Sequence, residues 1–140
     1  MDARAIVDSG FVAALGDERD ALHSWAAATA IYLRGPWLTC EGCVSEIAFL
    51  LGASVGPAAV LNFYGKIERG LIHSLHLLPE ELMKVTAETA RYHGRQVDFA
   101  DACLMTLSDR YPRLPIVTTD ARDFPTYLRG RSARKLILPD

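Results

Sequence analysis

The chain has 140 residues, half of them hydrophobic, and a formal net charge of −2. That length suits one compact domain with a real core and leaves no room for a second of ordinary size, so residues 1–140 read as a single domain. A mildly acidic total argues against a protein that coats nucleic acid electrostatically, while a local basic patch stays compatible with an enzyme that touches it. Such a patch is present near the end, where Arg122, Arg129, Arg131, Arg134 and Lys135 crowd together. The charged opening Met1-Asp2-Ala3-Arg4 lacks a leader pattern, and no apolar run reaches bilayer length. Three cysteines, an odd number without a leader, point to a reducing compartment, with the cytoplasm as the expectation.

Residues 4–8, Arg4-Ala5-Ile6-Val7-Asp8, read as a short buried strand ending on a carboxylate. Ser9-Gly10 is expected to turn the chain into an apolar helix over 11–15. A second, alanine-rich helix is predicted over 20–33, stopped by Arg34-Gly35-Pro36. Residues 37–39 are extended, and a helix over 40–51 closes at Gly52. Gly56-Pro57 starts another helix that ends before Gly70, because proline suits a first helical turn. Residues 71–78 form a strand candidate. Pro79 with Glu80 and Glu81 then opens a helix to residue 93, since acids are favoured at the positive end of the helix dipole. A helix over 98–110, a strand over 115–119 and a last strand over 134–138 complete the reading. Short, wholly apolar strands alternating with helices belong to a parallel sheet covered on both faces. The expected architecture is a three-layer α/β/α sandwich.

Two acids stand at strand ends, Asp8 after Ala5-Ile6-Val7 and Asp120 after Ile116-Val117-Thr118-Thr119. In a parallel sheet all such ends share one edge, where open α/β folds bind ligands. Each acid taken singly could equally begin a turn or cap a helix. Asp98 and Asp101 open a helix that is apolar on nearly every side through Phe99, Ala100, Ala102, Cys103, Leu104, Met105 and Leu107. An acid in the first turn of a buried helix needs a partner, so Asp101 is the functional candidate and Asp98 the cap. Glu46 is a lone acid beside the apolar stripe Val44, Ile47, Ala48 and Leu51. Periodicity by itself leans toward a solvated Glu46.

Carboxylates about 4 Å apart repel by roughly 4 kcal/mol at an effective dielectric near 20. A cluster of them either retains protons or binds a cation, and an all-oxygen set selects hard ions such as Mg²⁺ or Mn²⁺. Such an ion can activate water for attack on a phosphodiester. The stretches Val7-Asp8-Ser9, Val44-Ser45-Glu46-Ile47-Ala48-Phe49-Leu50-Leu51, Val97-Asp98-Phe99-Ala100-Asp101-Ala102 and Val117-Thr118-Thr119-Asp120-Ala121-Arg122-Asp123-Phe124 agree in order and spacing with a known family. The sequence resembles the PIN-domain ribonucleases, in particular VapC-type toxins of toxin–antitoxin modules. It departs where relatives often carry Thr-Thr-Glu, having Thr39-Cys40-Glu41 instead.

The resemblance implies that Asp8, Glu46, Asp101 and Asp120 form the acidic, metal-binding catalytic set, with Thr118 near the metal and Ser9 and Asp98 in support. It further implies a five-stranded parallel sheet, Mg²⁺- or Mn²⁺-dependent RNA cleavage, homodimers and inhibition by a small antitoxin. Arg122, Arg129 and Arg131 are candidates for phosphate contact.

Cys40-Glu41-Gly42-Cys43 has the spacing of half a zinc or redox site but lacks the partner motif, so packing is the expected role. His73 and His76 fall on opposite faces of a predicted strand, and His23 reads as a surface or core-edge residue. Two other functions compete with the nuclease. A non-catalytic PIN-like module docking on RNA or protein is disfavoured by the complete set of four acids. A phosphatase is disfavoured by Gly10, which stands where a second aspartate would be needed, and a receiver domain by the missing paired acids at the first strand's end and the missing late strand-end lysine.

Overall fold

The computed structural model describes residues 2–94, 97–128 and 135–140, the side chains of Tyr92 and His93 excepted. Among these residues the strands are β1 (Ala5–Val7), β2 (Trp37–Cys40), β3 (Ile72–Leu75), β4 (Ile116–Val117) and β5 (Leu136–Ile137). They form one sheet in the order β3-β2-β1-β4-β5, with every pairing parallel. The helices are α1 (Ser9–Leu15), α2 (His23–Leu33), α3 (Glu41–Ser54), α4 (Pro57–Glu68), α5 (Pro79–His93), α6 (Phe99–Arg110) and α7 (Phe124–Tyr127). They flank the sheet in the three-layer α/β/α arrangement that alternating apolar strands and helices predict.

The first three strands build outward from β1, and the chain then returns to place β4 on the other side of β1. The β1/β4 seam is therefore the point where winding reverses, and the carboxyl ends of its strands are the natural site of ligand binding. Ile6 pairs with Ile116 and Val7 with Val117, so the residues that follow, Asp8 and Thr118, emerge side by side. Asp8 N donates to Val117 O at 2.9 Å and closes the register.

β1 is wholly buried, as are Leu38, Ile116 and Val117, which is why these strands carry no polar face. On α3 the buried stripe is Cys43, Ile47 and Leu51, with Val44 and Ala48 at its margin. On α6 all residues from Ala102 to Ser108 are buried.

Several boundaries differ from the sequence reading, each for a local reason. Ser9 and Gly10 lie inside α1, because the Asp8 carboxylate accepts the Ser9 N–H at 2.7 Å and caps the helix two residues earlier than a turn would. α2 begins at His23 because Asp17 and Asp20 hold Arg19 N and Leu22 N in turns. α3 continues through Gly52 to Ser54, whose hydroxyl donates to Leu50 O at 2.6 Å. β3, β4 and β5 are shorter than expected, and the short α7 was not anticipated. Arg134, placed at the start of the last strand, lies outside the described residues.

Candidate functional site

Asp8 is only 6% exposed at the end of β1, and its carboxylate is held on every side. Oδ1 accepts from Ser9 N at 2.7 Å and from Ser9 Oγ at 3.3 Å, and Oδ2 accepts from Thr118 Oγ1 at 2.6 Å. Burial raises its pKa, the bonds from Thr118 and Ser9 oppose that rise, and the nearby Glu46 charge adds to it. Thr118 is fully buried and also accepts from Asp120 N at 3.0 Å, so one hydroxyl ties the two strand-end acids together.

Ser9 makes a second link. Its hydroxyl donates to Glu46 Oε1, joining the start of α1 to α3. Glu46 is exposed as a residue, in line with periodicity, yet its carboxylate is drawn to the acidic centre by this bond. Asp98 caps α6, accepting Asp101 N at 2.9 Å, as its position suggested. The sequence reading placed Phe99 on a buried helix side, whereas its ring is 62% exposed. Phe99 is the first residue of α6 and lies ahead of the continuously buried run from Ala102 to Ser108.

Asp101 reports the convergence most directly. Burial pushes its pKa up to about 7, and Asp98, Asp8, Asp120 and Glu46 each add to the rise. Four acids separated widely along the chain thus act on one carboxyl group. Asp120 also does the turn-forming work open to it, since Oδ1 accepts Arg122 N at 3.1 Å and Asp123 N at 2.8 Å. Its capping role and its place in the cluster therefore coexist. Arg122 is exposed in that same turn, while Arg129 and Arg131 lie outside the described residues.

The donor set is all carboxylate, which suits a hard cation and not a soft one. Among the described residues no three His, Cys, Asp or Glu side chains form a ready-made metal cage. The chemistry of the donors nevertheless fits such an ion, because a divalent charge would offset the repulsion that, after burial, raises the Asp101 pKa.

The approach of these elements depends on missing side chains at two glycines. A Cβ on Gly10 would stand 2.1 Å from Thr119 Oγ1, so α1 can lie against the β4 loop only with glycine there. A Cβ on Gly42 would stand 3.1 Å from Ala100 Cα and 3.1 Å from the Phe99 ring, which lets the starts of α3 and α6 meet. Neither role is visible in the sequence, since each depends on a partner far along the chain.

Cys40, Cys43 and Cys103 are free and buried behind the acids, consistent with packing. Cys43 Sγ lies 3.9 Å from Asp8 Oδ1, a contact the sequence reading missed. A thiol hydrogen bond with Cys40, then burial, push the Cys103 pKa up, so this sulfur stays protonated. His23 Nδ1 lies 2.8 Å from Ala14 O at the core edge.

At the level of sequence, neither a protein-family profile nor a curated protein matches the chain. Among solved structures it is similar to VapC20 of Mycobacterium tuberculosis, described as a sarcin–ricin-loop-cleaving toxin. The TM-score is 0.72 at 22% identity, covering 87% of this chain and 93% of that one. The strand order, the parallel sheet and this match together show that the chain has the fold of a VapC-type PIN domain.

Proposed function

We propose that the protein is an endoribonuclease that hydrolyses RNA phosphodiesters and acts as the toxin of a toxin–antitoxin pair. The observation that carries this reading is the convergence on Asp101 of Asp8, Glu46 and Asp120 at the carboxyl edge of the β1/β4 seam. Likeness in fold to a toxin that cleaves RNA supports it. In this reading Asp8, Glu46, Asp101 and Asp120 hold Mg²⁺ or Mn²⁺. When bound, such an ion would neutralise phosphate charge and activate water for attack.

The chain's own contribution is position. Thr118 fixes the Asp8 carboxylate, Ser9 bridges Asp8 and Glu46, and Asp98 holds the turn that presents Asp101. Asp101 would release its proton as a cation enters, because the charge favouring protonation is then offset. In this reading Arg122, exposed in the turn after Asp120, would contact a phosphate.

The same reading includes a small antitoxin as partner, pairing of two copies, a reducing cytoplasmic setting and one domain over residues 1–140. Among the described residues no helix is long and apolar enough to cross a membrane. The test is Asp8→Asn, assayed on total RNA with Mg²⁺ or Mn²⁺, with circular dichroism as the fold control. Cleavage is expected to disappear while the spectrum is kept. Undiminished cleavage by the variant overturns the assignment.

A further inference from the structure

A groove of about 560 Å³ opens beside the acidic centre, between the starts of α3 and α6. The side chains that matter are Glu41, Ser45, Glu46, Phe49, Asp98 and Phe99. Glu46 belongs to both the groove and the acidic centre, so whatever occupies the groove lies next to the reacting position. Two aromatic rings face this space from different helices, Phe49 at 73% exposure and Phe99 at 62%. One edge of the Phe99 ring lies close to Gly42 at the start of α3, and the rest of the residue stays open to the groove.

The polar lining selects what such a platform can take. Among the described residues the groove is lined by three carboxylates and no cation, a lining that disfavours a phosphate. A flat neutral group carrying N–H donors can donate to Glu41, the groove carboxylate not engaged by Ser9 or by the α6 cap, and stack on the rings. We infer that the groove receives an unstacked RNA base next to the scissile phosphate, guanine in preference to the others. The inference rests on the ribonuclease reading and adds a sequence preference to it.

Guanine is singled out by its edge. Its N1–H and N2–H donors lie side by side, and one carboxylate can accept both. Glu41, in the first turn of α3, has no hydrogen-bond partner among the described residues and is exposed in the groove wall. Adenine and cytosine offer a single amino group beside an acceptor. Uracil offers one N–H between two carbonyl oxygens, which a carboxylate repels.

The test uses the full chain with Ca²⁺ present and labelled uridine decamers carrying one central guanine, adenine or abasic site, read by fluorescence anisotropy. The guanine decamer is expected to bind tightest. Phe99→Leu should weaken that binding about tenfold and leave the abasic decamer unchanged, as loss of one base–aromatic stack predicts. Phe99→Trp should retain binding, and Glu41→Gln should erase the preference for guanine over adenine. Phe49→Leu gives a second reading of the stack, and melting temperatures confirm that each variant is folded.

Equal loss on the abasic decamer, or no preference for guanine, overturns the inference. Phe99-dependent binding of an arginine-bearing peptide, with guanine and abasic decamers bound alike, overturns it in favour of a protein side chain. Cleavage of total RNA is scored separately. Lost preference with cleavage intact removes the groove assignment alone, and preference without cleavage removes the ribonuclease reading alone.

Discussion

The two ends of α6 treat charge in opposite ways. At its last residue Arg110 donates to Glu81 at 2.5 Å, a bond that lowers the Glu81 pKa, and to His76 O at 3.1 Å. At its first turn Asp101 is pushed up to about 7 by burial and by the charges of Asp98, Asp8, Asp120 and Glu46. One end neutralises its charges and ties α5 to α6. The other gathers like charges whose repulsion must be met by a proton or a cation. Unrelieved charge of this kind, maintained by a rigid scaffold, marks a functional site better than any single residue does.

The sharpest way to break this comparison is Asp101→Asn. Activity with Mg²⁺ should fall at least about a hundredfold, as expected when a charged group that acts in the transition state is lost. Stability should move the other way. The Asp101 pKa is raised from 3.8 to about 7 on folding, so between these values the folded chain holds a proton that the unfolded chain has lost. Its stabilising contribution is therefore full below about pH 4 and is lost as pH rises through about 7. The metal-free variant should melt higher than the parent above neutrality and at nearly the same temperature near pH 4. A variant that melts lower at pH 8 would contradict the charge-repulsion account.

Gly10→Ala gives a smaller effect on the same end of the molecule. The added methyl meets Thr119 Oγ1 at 2.1 Å, so the Thr119 side chain, between Thr118 and Asp120, must shift. Overpacking of this kind costs about 1–3 kcal/mol, and cleavage should drop by about tenfold through misplaced acids. Denaturant unfolding and steady-state cleavage measure the two parts. Unchanged activity would show that this loop is not held by α1.

Glu81→Gln, at the neutralised end, should change least. The pair is about a quarter exposed on each side, 29% and 27%, so screening limits its loss to about 1 kcal/mol. Cleavage should be unaffected. A large activity loss here would mean that the two ends of α6 are coupled.

The order of elements was legible because apolar strands and capped helices are local signals. Val7 and Val117 are recognisable as buried strand residues, and Pro57, Pro79 and Asp98 mark helix starts without reference to the rest of the chain. The four acids were legible through their positions and through a family resemblance. The weakest among them was Glu46, whose periodicity said solvent and whose Ser9 bond said otherwise. Strand lengths were overestimated at β3, β4 and β5, because apolar residues continue past the point where pairing ends.

What the sequence determined by itself is the kind of residue at each turn of the chain: where it is buried, where it is capped, and which acids stand at strand ends. Only the tertiary structure decided which of those acids meet. That follows from a winding order that sets β4 beside β1, and from close contacts at Gly10 and Gly42 that no local pattern encodes. Burial and capping are read from near neighbours. Electrostatic coupling among Asp8, Glu46, Asp101 and Asp120 depends on through-space distance, which exists only once the sheet has formed.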